Sequence, residues 1–408
     1  MQVVSARWVV PIDRPPIADG ALALGDDGTV AAVGTRAEIR ASHPDALEER
    51  AHGALVPGLV NAHCHLELST LVDAVPGGEG LVAWVGKLMP ANRKIAPEQR
   101  RDDAARAAEA AVRFGTAGIG DVGTTLEAAA GIGRAGMGGV MFHELLGSRD
   151  LATGDALADA AREKRETDAD GRWPAHLGWV PAPHAPYSAS PDLLRRIFAA
   201  ASAAGRGTSI HVAEDRDELA LLANGSGRWP AVLEGMGIDP RPRVSGRAPV
   251  ATLAALGAFD GPSPPLLVHM VHAGHEDRRL AREAGATVVL CPRSNLHIGG
   301  ELPDVAAMLA DGVPIALGTD SLASVHDLSP WGEMATLAAH FPSVPAARWL
   351  EAATRDGARA LGLSALGTFT PGKRPGVVDV LIDDAAAPVE SLVRDPHPSL
   401  RWVARPSP

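Results

Sequence analysis

The 408-residue sequence has only two cysteines, Cys64 and Cys291. That excludes a disulfide-stapled scaffold and a cysteine-only zinc site. It has no window of about 18 uninterrupted apolar residues, so no transmembrane helix and no membrane partner is expected. Residues 1–11 lack a basic run followed by an apolar stretch of signal-peptide length, which makes the cytoplasm the expected location. No long polar or low-complexity tract occurs, which excludes a mainly disordered chain. Basic residues are outnumbered 38 to 49, for a net charge of −11, so a polyanion-binding surface and a nucleic-acid partner are excluded. Only four lysines accompany 34 arginines, a bias of composition and not of function. No G-x-G-x-x-G follows the first strand, which counts against a dinucleotide-binding open sheet.

What is present is apolar and periodic. Apolar residues make up 46% of the chain, enough for a large core. Residues 3–10, 21–24 and 30–33 read as short strands, with Gly25-Asp26-Asp27-Gly28 as a hairpin turn. Residues 377–382 read as another strand near the other end, after two Pro-Gly breaks. Between these ends, short apolar runs alternate with alanine-rich helical stretches. The runs are 54–61, 116–123, 139–146, 176–181, 208–212, 265–271, 286–291 and 314–318. Eight strand–helix units in about 300 residues is the arithmetic of a (β/α)8 barrel. The expected fold is therefore α/β: a catalytic TIM-type barrel over 56–365, with a small composite β-sandwich domain built from 1–55 and 366–408.

Polar residues recur at the ends of the runs. The first ends in His63-Cys64-His65, and in a strand residues i and i+2 share a face. Two imidazoles so placed either share a metal ion or sit as hydrogen-bonded core histidines. The fifth run ends in His211-Val212-Ala213-Glu214, the sixth carries His269 and the eighth leads to Asp320. Singly, each reads as a satisfied polar group. Jointly, four imidazoles and a carboxylate converge on the face where this fold places its chemistry. Such ligands suit zinc, and also ferrous iron or manganese.

The segments 57–65 (P-G-L-V-N-A-H-C-H), 211–214 (H-V-A-E) and 317–321 (L-G-T-D-S) resemble the amidohydrolase superfamily, and within it the cytosine-deaminase-type branch. That branch includes S-adenosylhomocysteine, guanine and aminodeoxyfutalosine deaminases. The resemblance implies one divalent metal ion held by His63, His65, His211 and Asp320. It implies that Glu214 shuttles protons and that His269 contacts the attacking water or the substrate, with Asp320 sharing the proton traffic. Two-metal relatives carry a lysine after the fourth strand. Here that segment reads V-P-A-P-H-A-P-Y-S over 180–188, without lysine, which implies a single metal. The chain also lacks the P-C-x-x-C of the unrelated zinc deaminases.

The 183–188 segment resembles the branch's H-A-P-Y-[ST] motif and implies substrate contact by His184, while Tyr187 either contacts substrate or packs. The segment 291–295 (C-P-R-S-N) also matches, and Asn295 joins the expected substrate contacts. The stretch H-C-H-L-E-L-S resembles aminodeoxyfutalosine deaminases of menaquinone biosynthesis. Glu67 there binds ribose hydroxyls, caps a helix or lies at the surface. Trp84 stacks on an aromatic ring or packs, and Arg149 pairs with a substrate carboxylate or faces solvent. His272 reads as a loop or capping residue, and Cys64 as a small core residue on the opposite face of its strand. The partner implied is a small molecule: an aminopurine nucleoside, with free bases and triazines as alternatives. Self-association is left open. A non-catalytic scaffold of the same fold is the rival from another class, and retention of every ligand plus Glu214 and His269 argues against it.

Overall fold

The computed structural model describes residues 1–382 and 386–406. Residues 383–385 and 407–408, within the expected C-terminal part of the composite unit, lie outside the described residues. The chain opens with β1 (Gln2–Val9), β2 (Ile17–Leu24), β3 (Val30–Thr35), β4 (Leu47–Arg50) and β5 (Ala54–Pro57). It continues through β6 (Leu59–Cys64), β7 (Thr116–Gly123), β8 (Gly138–Leu145) and β9 (Leu177–Pro183). Then come β10 (Ser209–Val212), β11 (Leu266–His269), β12 (Val288–Leu290) and β13 (Ile315–Leu317). It ends with β14 (Val377–Val380) and β15 (Leu400–Ala404).

The two ends of the chain share one seven-stranded sheet, ordered β15-β14-β5-β1-β2-β3, with β4 also paired to β1. Within it β14 runs antiparallel to β5 and carries the C-terminal segment into the N-terminal sheet. The hairpin between β2 and β3 turns at the expected place: the Gly25 N–H donates to Thr29 O at 2.8 Å, and Gly28 takes φ +79°. A left-handed residue there suits glycine.

The apolar run over 54–61 divides in two. Residues 54–57 belong to the terminal sheet as β5, and β6 starts the parallel strands at Leu59. Gly58 is the joint. A Cβ there would lie 2.5 Å from the Ala117 Cβ and 2.9 Å from Pro375 O, so only glycine lets the two sheets approach this closely. Sequence periodicity cannot see the joint, because both pieces are apolar and buried.

The middle strands form two four-stranded parallel sheets, β6-β7-β8-β9 and β10-β11-β12-β13. Every residue of β6, β7, β8, β10, β11, β12 and β13 is buried, as expected of strands covered on both faces. Hydrogen bonds cross both seams between the sheets. At one, the His211 N–H donates to His184 O at 3.0 Å. At the other, Thr319 and Asp320 N–H both donate to His63 O, at 2.9 and 3.1 Å. Among the described residues no helix is long and apolar enough to cross a membrane.

Helices return the chain between strands. The helix Pro97–Arg113 has proline in its first turn and buries Ala104, Ala107, Ala108, Ala111 and Val112 at spacings of three and four. The helix Pro191–Ala203 starts at Ser190, whose hydroxyl accepts from the Leu193 N–H at 3.1 Å.

Candidate metal and catalytic site

The strand ends bring the predicted ligands together. His63 and His65 leave the end of β6 with ring centroids 4.9 Å apart. The His211 ring, from β10, lies 4.9 Å from that of His63 and 5.3 Å from that of His65. Asp320 Oδ1 lies 3.7 Å from His65 Nε2. Candidate ligand atoms of His63, His65 and Asp320 lie within 4.8 Å of one another, as do those of His63, His211 and His269.

Close backbone approach makes this possible. A Cβ on Gly318 would lie 2.7 Å from His63 O, so glycine lets the chain before Asp320 press against the strand carrying His63. Four residues at these strand ends adopt left-handed backbone without being glycine: Ala213 (φ +52°), His269 (φ +73°), Met270 (φ +49°) and Asp320 (φ +62°). Conformations of this kind cost about 1–3 kcal/mol each and cluster at functional sites.

The protonation states suit metal binding. Burial pushes the imidazolium pKa of His63, His65 and His211 down, so all three are held neutral, the ligating form. His211 Nδ1–H donates to His184 O at 2.9 Å, which leaves Nε2 with its lone pair, 3.3 Å from His65 Nε2. The His65 ring is itself hydrogen-bonded to the Val122 backbone, and two imidazole nitrogens facing each other at this distance suit a shared cation. Both ring nitrogens of His63 are buried without a hydrogen-bond partner. An orphaned buried imidazole is costly unless something binds it. Imidazole and carboxylate donors fit a divalent ion such as zinc.

The acid–base groups adjoin this cluster. Glu214 Oε1 lies 3.5 Å from His269 Nε2. Burial, and then the nearby Asp320 and Glu218 carboxylates, raise the Glu214 pKa well above that of an ordinary carboxyl. Asp320 accepts from the Ser294 hydroxyl. Cys64 points the other way, with Sγ 3.6 Å from Asp121 Oδ1, as expected of a core residue on the opposite face.

A cavity of about 490 Å³ opens over the cluster, a size suited to a small molecule. His184 lines it and bonds through Nδ1 to Ser188 Oγ at 2.7 Å. Tyr187 lines it with its ring stacked on Trp229 at 4.1 Å. Trp84 also lines it, with its indole N–H buried and unpartnered. The other expected contacts are differently engaged. Glu67 lines the cavity, but its two oxygens accept the backbone and hydroxyl donors of Thr124 and Thr125 at 2.8–3.0 Å, bracing the end of β7. Arg149 lines it too, 20% exposed, with Nη2 2.6 Å from Glu163 Oε1. Asn295 is not among the lining residues; its amide nitrogen lies 2.9 Å from His269 Nδ1. His272 is a loop residue 3.8 Å from Glu301.

The sequence reading passed over several supporting groups. Glu144, at the end of β8, is buried with Oε1 3.6 Å from His211 Nδ1, and burial raises its pKa. It follows the strand-end rule that singled out the candidate ligands, so that signal was available. Glu218 accepts the N–H groups of Ala213 and Glu214 at 3.0 and 3.1 Å, fixing the turn that presents Glu214. Arg293 holds the segment after β12 by bonds to Glu333 Oε1 at 2.7 Å and Asp327 Oδ1 at 2.8 Å. Its two successors then reach Asp320 and His269.

The chain belongs to the amidohydrolase family, whose model matches residues 54–395. An aminodeoxyfutalosine deaminase of Deinococcus radiodurans is 32% identical over 356 residues, covering 84% of this chain and 81% of that one. A 5-methylthioadenosine/S-adenosylhomocysteine deaminase of Moorella thermoacetica is 31% identical over 411 residues, covering 98% and 89%. Among solved structures, the fold is shared with Helicobacter pylori aminofutalosine deaminase in complex with methylthio-coformycin. There the TM-score is 0.85 at 20% identity, covering 100% and 99% of the two chains. A Xanthomonas campestris adenosine deaminase with bound zinc superposes with a TM-score of 0.78 at 25% identity, covering 99% and 92%.

Proposed function

We propose that this protein is a metal-dependent hydrolytic deaminase of an aminopurine nucleoside, with 6-aminodeoxyfutalosine, an intermediate of menaquinone biosynthesis, as its substrate. The observation that carries the reading is the pairing of an orphaned, buried His63 with a Glu214–His269 contact in one cavity. The same reading takes the two parallel sheets as a closed (β/α)8 barrel over 56–365. It takes the terminal sheet as a composite β domain of 1–55 and 366–408, and places the enzyme in the cytoplasm. The relative in Deinococcus radiodurans supports this substrate. The relative in Moorella thermoacetica supports a second reading, deamination of methylthioadenosine or S-adenosylhomocysteine.

His63, His65, His211 and Asp320 would hold one divalent ion, zinc in this reading, with iron(II) or manganese(II) as alternatives. When bound, such an ion supplies water acidic enough to attack at neutral pH, lowering its pKa from 15.7 to about 7. The chain's own groups do the rest. Protonated Glu214 donates to a ring nitrogen and makes the amino-bearing carbon electrophilic. His269, whose Nε2 carries the proton, donates toward the attacking oxygen. Glu214 and Asp320 take the protons released by water and return one to the leaving nitrogen. The carbon–nitrogen bond breaks, a carbon–oxygen bond replaces it and ammonia departs.

An ammonia-release screen of zinc-loaded protein tests the reading. The panel is 6-aminodeoxyfutalosine, methylthioadenosine, S-adenosylhomocysteine, adenosine, guanine, cytosine and a triazine. The highest kcat/KM is expected on 6-aminodeoxyfutalosine. A clear preference for a free base or a triazine contradicts the reading.

A further inference from the structure

The segment Asp239-Pro240-Arg241-Pro242-Arg243 sends its two arginines to different places. Asp239 accepts from the Arg241 backbone N–H at 3.0 Å and from its guanidinium at 2.8 Å, at the surface. Two prolines stiffen this turn, and Arg243, which closes it, is only 5% exposed. Its Nη1 donates to Asp239 O at 2.7 Å. Among the described residues that is the one hydrogen bond of its side chain, and no carboxylate lies within ion-pair distance. Its Nε is buried without a partner. Burial works against the charge and lowers the pKa of the group. Arg100, the other buried arginine among the described residues, donates to Glu67 O, Asn92 Oδ1 and Asn92 O at 2.9–3.3 Å. A buried charge needs partners, and Arg243 has one where Arg100 has three.

Arg243 lines a cavity of about 210 Å³ that shares no lining residue with the substrate cavity. Arg195 and Arg247 line it too, both exposed and both without an ion pair among the described residues. Ser245 and Thr252 add hydroxyls, 2.6 Å from each other. No Asp or Glu is in the lining. Acidic groups close by are spent: Asp239 on Arg241 at 2.8 Å, and Asp192 on Arg196 at 3.0 Å. Pro191, the first residue of the helix Pro191–Ala203, is in the wall, at the helix end where peptide dipoles favour an anion. Exposed arginines without a partner are ordinary on a protein surface. This cavity differs because one of its three guanidiniums is buried, where water does not compensate the charge.

We propose that this cavity is an oxyanion site that takes a phosphate group, with Arg243 as its anchor and Arg195 and Arg247 as its outer cations. Three positive charges without a carboxylate suit a dianion better than a monovalent carboxylate. The guanidinium fork donates in parallel to two oxygens of a tetrahedral phosphate. The occupant is inorganic phosphate or the phosphate of a small ester. The site is independent of the deaminase reading, yet it backs onto the substrate cavity. Pro186 lines the phosphate site, and its neighbours Tyr187 and Ser188 line the substrate cavity.

Calorimetric titration of zinc-loaded protein with inorganic phosphate, in buffer free of other oxyanions, tests the site. One phosphate is expected to bind per chain. Arg243→Met should weaken it by about 10–150-fold, the range for a hydrogen bond to a charged group. Should Arg243→Met fold poorly, the double variant Arg195→Met, Arg247→Met changes only exposed positions and should also weaken binding. Sulfate should bind like phosphate, and acetate far more weakly. Glycerol 3-phosphate separates the two sources: tighter binding than inorganic phosphate assigns the site to an ester, weaker binding to the free ion. Phosphate bound by these variants as tightly as by wild type sits elsewhere, at the metal centre for example, and overturns the proposal. A wild type that takes up no phosphate at millimolar concentration also overturns it, as does one that binds acetate equally well. Activity is not part of the readout, so a failed ammonia-release screen sinks the deaminase reading and leaves this test intact.

Discussion

The amide nitrogen of Asn295 lies 2.9 Å from Nδ1 of His269, and this contact sets which nitrogen of His269 carries the proton. An amide nitrogen only donates, so Nδ1 accepts and the proton sits on Nε2, which faces Glu214 at 3.5 Å. The residue before Asn295, Ser294, donates to Asp320. One short turn thus positions Asp320 and His269 with consecutive side chains.

Removing that control has a cost. Asn295→Leu leaves Nδ1 buried without a donor and frees the ring to place its proton on either nitrogen. A lost buried hydrogen bond costs about 1–3 kcal/mol of stability, and kcat falls in step with the share of His269 that keeps its proton on Nε2, while the metal content stays the same. The tautomer is read directly from the imidazole nitrogen shifts of ¹⁵N-histidine protein. Nε2-protonated His269 is expected in the wild type and a mixture in the variant.

Glu214→Gln keeps the size and the metal site but cannot carry a proton. Positioned acid–base groups contribute about 10²–10⁴-fold, and turnover should fall by that factor with metal content intact. Near-normal turnover removes Glu214 from the mechanism.

The terminal sheet gives a pH prediction independent of the active site. Glu48, on β4, accepts from Arg36 Nε and from Ser5 Oγ, both at 2.6 Å. These bonds, Arg36 first and then Ser5, lower its pKa from the ordinary carboxylate value to about 2. A carboxylate with a depressed folded-state pKa stabilises the fold above its unfolded pKa of 4.5 and loses that stabilisation as pH falls toward 2. In urea titrations, wild type should exceed Glu48→Gln at pH 6, and less than half of that gap should survive at pH 3. An unchanged gap contradicts the assignment.

Much of this arrangement was legible in the chain because strand periodicity and strand-end polarity are local signals. The run 116–123 is β7 without a shift, and His63, His65, His211, Glu214, His269 and Asp320 converge as their positions implied. What was not legible depends on contacts between distant segments. The split at Gly58 is set by Ala117 and Pro375, neither near in sequence. Glu67 was expected to meet the substrate or cap a helix, and its carboxylate is instead taken up by Thr124 and Thr125, 57 and 58 residues away. Asn295 was expected to touch substrate, and it stands behind His269 because Arg293 pins its segment to Glu333.

The most direct measurement of the central claim is metal stoichiometry alongside activity. Elemental analysis of active protein, before and after replacing His63 with alanine, should give one divalent ion per chain in the wild type. The variant should show strongly reduced metal and turnover lost in proportion. Two ions per chain in active wild type, full turnover in metal-free protein, or undiminished metal and activity in His63→Ala would contradict the account.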